Sequence, residues 1–420
     1  MATVTIKSSV LERFLRYVTY DTRADENSPT YPSTAGQLVL LDKLAEELKE
    51  IGLDEVVRDK HGYVFATIPA TTRKRRVPVI GFIAHVDTSP EASGANVKPI
   101  VHRKWKGQDI VLPDDPTAVL RLADDPHLRD QMGNDIVTAS GTTLLGADNK
   151  AGVAEIVAAA ECLVKNPSIK HGKIRIAFTP DEEVGGGTKH FNVKKFGAYC
   201  AYTIDGETRG HVEAETFSAD AMTVTFHGFN THPGFALDRM VNTIKVASDF
   251  ISLLPRTWMS PETTAGREGF VHPYVVDASV EKTSVKFLVR DFVTTRLKEK
   301  EHIIEFLARE TVASWPDSAV TFEVVESYRN MKQVLDKHPK VVDHAREAIR
   351  RSGLEPVDGA IRGGTDGSRL SFMGLPTPNI FAGEHNFHSR LEWISVQDME
   401  KAVEVIVNIA RVWEEKPGPR

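Results

Sequence analysis

Cysteine is scarce, with two in 420 residues, which excludes the disulfide framework of a small secreted protein. Cys162 falls within an apolar helical stretch and Cys200 inside a strand-like run, so both are expected as buried, inert thiols. Positive charge is not in excess either. Fifty-two Lys and Arg stand against 58 Asp and Glu, a net charge of -6, and the basic surface that nucleic-acid binding needs is missing. The one basic run, Arg73 to Arg76, lies between two strand-like segments and reads as a solvated turn. No hydrophobic run approaches the length needed to span a bilayer. The first residues, Met1 to Lys7, lack the apolar core of a signal peptide. No membrane partner is therefore expected, and the cytoplasm is the expected compartment. Internal repeats and low-complexity tracts are absent as well.

What is present is an ordinary globular composition, 41% hydrophobic and 26% charged. At this length a single core has usually stopped growing, so two domains are expected. Apolar residues at helical spacing predict helices near residues 10–18 and 38–51, the second ending at Gly52. Strand-like runs at 63–68, 77–84 and 173–179 then alternate with a small-residue helix at 151–164. That rhythm predicts an α/β fold with a mixed, mostly parallel sheet covered by helices. Residues 91–133, rich in Pro, Asp and other charged residues, read as a long excursion from the core. From 219 to 327 the order becomes strand, helix, strand, strand, helix, strand, which is that of a ferredoxin-like α+β unit inserted in the larger domain. The first pattern resumes with helices near 340–351 and 396–413 around a strand at 377–381.

Carboxylates and histidines stand just past the ends of the buried runs. The run 77–84 delivers His85 and Asp87, the run 173–179 delivers Asp181, Glu182 and Glu183, and the run 198–204 delivers Asp205. Open α/β sheets bind ligands outside the carboxyl ends of their strands. Acids gathered there would repel one another unless a cation sat among them, and a divalent metal pair answers that need. His85 and Asp87 share a side of an extended segment, which suits a ligand and its orienting partner, although a plain strand terminus has the same look. Asp148, in a Gly146-to-Gly152 turn that opens a helix, suits an N-cap or a carboxylate bridging two metals about 3.5 to 4 Å apart. Lys150 is expected as a surface or capping-region charge. Glu182 and Glu183 precede three glycines; of two consecutive glutamates one can ligate metal while the other takes a proton from water. His385 and His388 follow an apolar strand, and spacing does not choose between them. Arg362, before Gly363 and Gly364 and a helix start, suits a carboxylate anion.

Five segments carry a resemblance: GFIAHVDTSP at 81–90, GTTLLGAD at 141–148, FTPDEEVG at 178–185, IRGGTDG at 361–367 and LSFMGLP at 370–376. Together they resemble the tripeptide aminopeptidases of the two-zinc exopeptidase superfamily, which also holds glutamate carboxypeptidases, aminoacylases and desuccinylases. The resemblance implies His85, Asp148, Glu183, Asp205 and His388 as ligands of two divalent metal ions, zinc by expectation, with Asp148 as the bridge. It implies Asp87 as orienting residue and Glu182 as general base, and it selects His388 over His385. It implies that residues 1–209 and 329–420 form a discontinuous catalytic domain. Residues 210–328 would be a lid and dimerisation domain, the site of a homodimer. There His232, in the segment NTHPG, is implied to steady the oxyanion, with Asn242 and Arg290 adding substrate contacts.

The implied reaction is release of the N-terminal residue from short peptides, tripeptides above all, by attack of a water held between the metals with Glu182 taking its proton. A related aminoacylase or carboxypeptidase, or a peptide-binding protein without activity, are the competing readings. Departures from the family pattern are Asn149 in place of an aspartate, Glu384 in place of a glycine, His385 in place of an aromatic residue, and residues 206–209 in place of a glycine-rich turn. The last three border the expected substrate pocket.

Overall fold

The computed structural model describes residues 9–417; Met1 to Lys7, read above for a signal peptide, lie outside them. Two compact units are formed. One contains the chain up to Ala214, Gln333–Gly359 and the chain from Arg369 onward, and the other contains Glu215–Lys332 with Ala360–Ser368.

The first unit is built on an eight-stranded sheet in the order Asp54–Arg58, Val64–Ile68, Ile174–Thr179, Ile80–His85, Cys200–Gly206, Asn379–Phe381, His211–Thr216, Val357–Ile361. Its centre is parallel: Ile80–His85 pairs in parallel with both Ile174–Thr179 and Cys200–Gly206, and the last pairs in parallel with Asn379–Phe381. The flanks are antiparallel. Every residue of Ile80–His85 and Ile174–Thr179 is buried, as predominantly apolar strands at the centre of a covered sheet are; the one arginine among them, Arg175, bonds Glu55 at 2.7 Å. The strand predicted from Val77 starts at Ile80, because Pro78 has no N–H to give a ladder.

Helix Ala147–Lys165 is buried along most of its length. It packs on helix Val396–Glu415, which also packs on helix Pro339–Arg351. The helix begins four residues before the predicted start, and Asp148 and Asn149 at its head have non-helical backbone angles (ψ 105° and 38°). Gly152 lets this helix approach the sheet: a Cβ there would lie 1.9 Å from the Ile204 carbonyl oxygen.

The excursion at 91–133 has a core of its own, made by Trp105, Ile110, Leu112, Leu120 and Leu128 with Ile136 and Trp393. A second sheet joins it to the C-terminal part in the order Glu384–His385, Trp393–Ser395, Ile136–Thr138, Ile100–His102.

The second unit has the expected element order: Ser218–His227, helix Thr243–Leu253, Phe270–Ala278, Lys282–Asp291, helix Thr295–Ala313 and Ala319–Tyr328. Its four strands are antiparallel, in the order Phe270–Ala278, Lys282–Asp291, Ser218–His227, Ala319–Tyr328. Met222, Val224, Phe226, Phe250, Val285 and Phe287 lie at the centre of its core.

Its boundaries differ from 210–328, because Ala360–Ser368 clusters with it. The cause is local: the Phe217 N–H donates to the Ile361 carbonyl at 3.0 Å, and Arg362 bonds the backbone around Thr264 to Glu268. Among the described residues no helix is long and apolar enough to cross a membrane.

Candidate metal centre

His85, Asp148, Glu183, Asp205 and His388 converge in the first unit at the carboxyl end of the parallel strands. His85 closes strand Ile80–His85 and is buried. Its Nδ1 lies 3.1 Å from the Asp87 carbonyl oxygen, which only accepts, so this nitrogen carries a hydrogen. Its Nε2 faces two carboxylates at once, Asp148 Oδ1 at 3.0 Å and Asp205 Oδ1 at 3.2 Å. Asp148 Oδ2 lies 3.3 Å from His388 Nε2, which is itself 2.9 Å from Glu183 Oε2. Asp148 therefore stands between the two histidines, one oxygen toward each. His388 Nδ1 lies 3.3 Å from Glu91.

Asp87, fully buried, accepts the backbone N–H groups of Glu182 and Glu183 at 3.0 Å each and lies 3.3 Å from His85 Nδ1. The loop after the glutamates is turned by bonds from Gly185 and Gly186 back to the carbonyls of Glu182 and Asp181. Asp181 anchors it by accepting from Gln37 and from the Ser33 backbone N–H, each at 2.7 Å.

The electrostatics call for cations. Burial and the charge of Asp148 push Glu183 up to about 8. Burial works against charge on His388, yet hydrogen bonds to Asp148 and Glu183 push it up to about 11. His85 is likewise raised well above the usual imidazole range: burial opposes this, and Asp205, Asp148 and Asp87 override it. Protons thus hold together a cluster whose donors are those that divalent ions take up, and metal binding would displace them. Glu183 Oε1 is buried without a hydrogen-bond partner. The residues fit the metal pair on these grounds. His85, Asp148 and Glu183 form one group whose ligand atoms lie within 4.8 Å of one another, and Asp148, Asp205 and Glu384 form a second.

Glu384 is a member that sequence reasoning missed. It had signalled itself only as a departure from pattern; it is 2% exposed, its Oε2 lacks a partner, and burial with the charges of Asp148 and Asp205 raises its pKa well above the carboxylate range. Glu392 was missed altogether. Its carboxylate accepts from the backbone N–H groups of Leu145 and Gly146 at 2.7 Å and of Asp148 at 3.0 Å, holding the turn that presents Asp148. Lys150 is a correction: in place of a surface charge it is 1% exposed, with Nζ donating to the Tyr20 carbonyl at 2.7 Å.

His232, Asn242, Arg290 and Arg362 belong to the second unit. His232 is exposed, and its Nδ1 accepts from the Gly234 N–H at 3.1 Å, leaving the proton of a neutral ring on Nε2. Asn242 caps helix Thr243–Leu253 by accepting from the Ile244 N–H at 3.0 Å. Arg290 Nε is buried without a partner. Arg362, expected as an anion clamp, is corrected: its guanidinium donates to the carbonyls of Gly266 (2.9 Å) and Glu268 (2.8 Å) and to Thr264 Oγ1 (3.0 Å), and it covers the Phe217 ring at 5.2 Å. Those bonds make it a tie for the 264–268 loop.

A parallel sheet that delivers carboxylates and imidazoles to one buried cluster, with an aspartate between two histidines, has the framework of a metal-dependent hydrolase. Residues 143–412 match the sequence profile of Peptidase family M20/M25/M40, and the chain belongs to that family. It is a peptidase. Over 409 residues it is 47% identical to Peptidase T of Caldanaerobacter subterraneus subsp. tengcongensis, covering 97% of this chain and 100% of the relative. Over 404 residues it is 48% identical to Peptidase T of Clostridium botulinum, covering 96% and 98%. Its fold is that of an aminopeptidase from Bacillus cereus (TM-score 0.73, 22% identity, 96% and 98% covered). A tripeptidase from Staphylococcus aureus shares it too (TM-score 0.75, 21% identity, 97% and 98% covered).

Proposed function

We propose that this chain is a two-metal aminopeptidase that releases the N-terminal residue from short peptides, tripeptides above all. The observation that carries the reading is Asp148 placed between His85 and His388, in a chain nearly half identical, over almost its whole length, to proteins named Peptidase T. A Bacillus subtilis member of the fold is described as a dinuclear metal-binding peptidase, which supports the same occupancy here. His85, Asp148 and Asp205 would hold one ion and Asp148, Glu183 and His388 the other. Mixed imidazole and carboxylate donors suit zinc. When bound, such a pair acidifies water and polarises a peptide carbonyl.

The chain's own groups do the rest. Glu182 takes a proton from the attacking water and passes it to the leaving amine; its backbone is pinned by Asp87 beside the ligand Glu183. His232, with its free hydrogen on Nε2, donates to the oxygen on which charge develops. Arg290, with its orphan Nε, is the better anchor for a substrate carboxylate, since the donors of Arg362 are engaged.

A homodimer through the second unit is supported by the edge strand Phe270–Ala278, where Tyr274 and Val276 are about half exposed (49% and 52%). Two buried free thiols accord with a cytoplasmic protein.

The test is hydrolysis of a tripeptide beside its N-acetylated form by the zinc-loaded protein, with products followed by mass spectrometry. Release of the first residue from the free tripeptide alone is expected. Cleavage of the blocked form moves the activity to an acylase or carboxypeptidase, and cleavage of neither, with metal bound, leaves a binding protein.

A further inference from the structure

Outside the centre just described, three donor side chains from three separate segments meet. His127 lies in the short 3-10 helix Pro126–Gln131 of the excursion, Glu207 follows strand Cys200–Gly206, and His385 ends the short strand Glu384–His385. One ligand atom from each lies within 4.8 Å of the others. His385 Nδ1 is 3.8 Å from Glu207 Oε1, beyond hydrogen-bond reach.

We propose that His127, Glu207 and His385 bind a third divalent transition-metal ion of the zinc type, one that ties the excursion to the two segments bearing Asp205 and His388.

The bland account is a stack of rings. The His385 ring lies between His127 (centroids 4.9 Å apart, 27° between planes) and Trp393 (4.3 Å, 17°). Stacking explains the rings and leaves the nitrogen unexplained. His385 is 2% exposed, and its Nδ1 is buried with no hydrogen-bond partner, directed toward a carboxylate too far to accept from it. A buried polar atom without a partner is uncommon in a folded protein and points to a missing one. Two imidazoles and a carboxylate form a three-ligand set of the kind that zinc completes with water in the fourth position.

The scaffold around the set is built. Asp125 accepts from the His127 backbone N–H (3.0 Å), from Trp393 Nε1 (2.7 Å) and from Asn386 Nδ2 (3.0 Å), so a single buried carboxylate fixes the backbone of one ligand against the neighbours of another. His385 is locked between its neighbours. His127 is exposed, its Nδ1 3.4 Å from Thr208 Oγ1. Closing a tetrahedral site requires donor separations of roughly 3.4 Å, which would take a side-chain rotation of exposed His127 and half-buried Glu207 toward the fixed His385.

Sequence supports the same reading. Glu207 and His385 both stand at positions where the chain departs from the pattern of the family it resembles, and they meet each other in space.

The test is a metal count on the full chain. Protein stripped with a chelator is dialysed against buffered zinc, and bound zinc is measured by elemental analysis for wild type, His127→Ala and His385→Phe. Phenylalanine preserves the stack at 385, and the exposed 127 tolerates alanine, so a folding failure of one variant leaves the other to decide. Each variant is expected to hold one ion fewer per chain than wild type. Cobalt titration should show the same difference, with the last absorption band to grow in wild type missing from both. Equal counts in wild type and His127→Ala overturn the proposal. Because the readout is a difference, it stands apart from the two-metal reading: if the main centre fails to bind, the totals drop in all three proteins while the difference persists.

Discussion

Asp87 holds Glu183 by its backbone: Asp87 Oδ2 accepts the Glu183 N–H at 3.0 Å while Oδ1 accepts that of Glu182 at 3.0 Å. The same carboxylate lies 3.3 Å from the Nδ1 of His85. One buried side chain therefore touches His85 and fixes the backbone of Glu182 and Glu183 on the neighbouring strand's loop, the three residues proposed as ligand, base and ligand. Removing it should loosen all three together. Asp87→Ala is expected to lose between about 10-fold and 100-fold in zinc affinity or in kcat/KM, the usual effect of deleting a residue that orients metal ligands. Competition with a chromophoric chelator measures the first and tripeptide hydrolysis the second; wild-type values for both would remove Asp87 from this role.

Adjacent in sequence and pinned by the same residue, Glu182 and Glu183 are assigned different work. Glu182→Gln should keep its zinc and lose turnover by about 100- to 10,000-fold, the range for deletion of a general base. Glu183→Gln should lose zinc. Elemental analysis paired with single-turnover hydrolysis separates the two, and loss of zinc from the Glu182 variant would reverse the assignments.

Much of this arrangement was legible in the chain because it follows from strand ends. The runs ending at His85 and Thr179 are mostly apolar, Arg175 being the charged exception, so their burial and the placement of the polar residues behind them could be read directly. The ferredoxin-like order was legible from alternation and helical spacing. Three kinds of feature were not. Glu392 acts through backbone N–H groups some 240 residues away in sequence, and no local pattern marks such a partner. Lys150 sits beside the turn glycines as a surface lysine would, and only the packing of helix Ala147–Lys165 against the rest of its unit shows it buried. Arg362 has the setting of an anion clamp, but the carbonyls that occupy it come from a loop almost 100 residues earlier.

Glu384 sets metal binding against stability. In the metal-free protein its buried carboxyl faces Asp148 and Asp205, and burial first, then those charges, raises its pKa well above 4.5. A carboxyl whose pKa is raised by folding destabilises the folded state at every pH above its unfolded value and costs nothing below it. Glu384→Gln should therefore raise the thermal midpoint of chelator-treated protein at pH 7, with the gain fading as pH falls toward 4.5 and absent below it. The same variant should bind zinc more weakly. A lower midpoint in the metal-free state would mean that Glu384 is held by favourable partners rather than endured.

Lys150 gives a second titration of the opposite chemical kind. Burial lowers its pKa from 10.5 to about 8, against the pull of Glu392, Asp21 and Asp87, while Nζ donates to the Tyr20 carbonyl. Between those two values the unfolded chain binds the proton that the folded chain has released, so stability rises with pH. Below about 8 the cost of the buried charge is present in full. Lys150→Met has no such proton. The stability of wild type relative to this variant should grow by about 3 kcal/mol from pH 8 to 10.5, since each pH unit across that window contributes about 1.4 kcal/mol. Urea unfolding of both proteins in the metal-free state, at several pH values across that window, measures the difference. A constant difference would show that Lys150 keeps its ordinary affinity for the proton, and that water or an acid reaches its Nζ in solution.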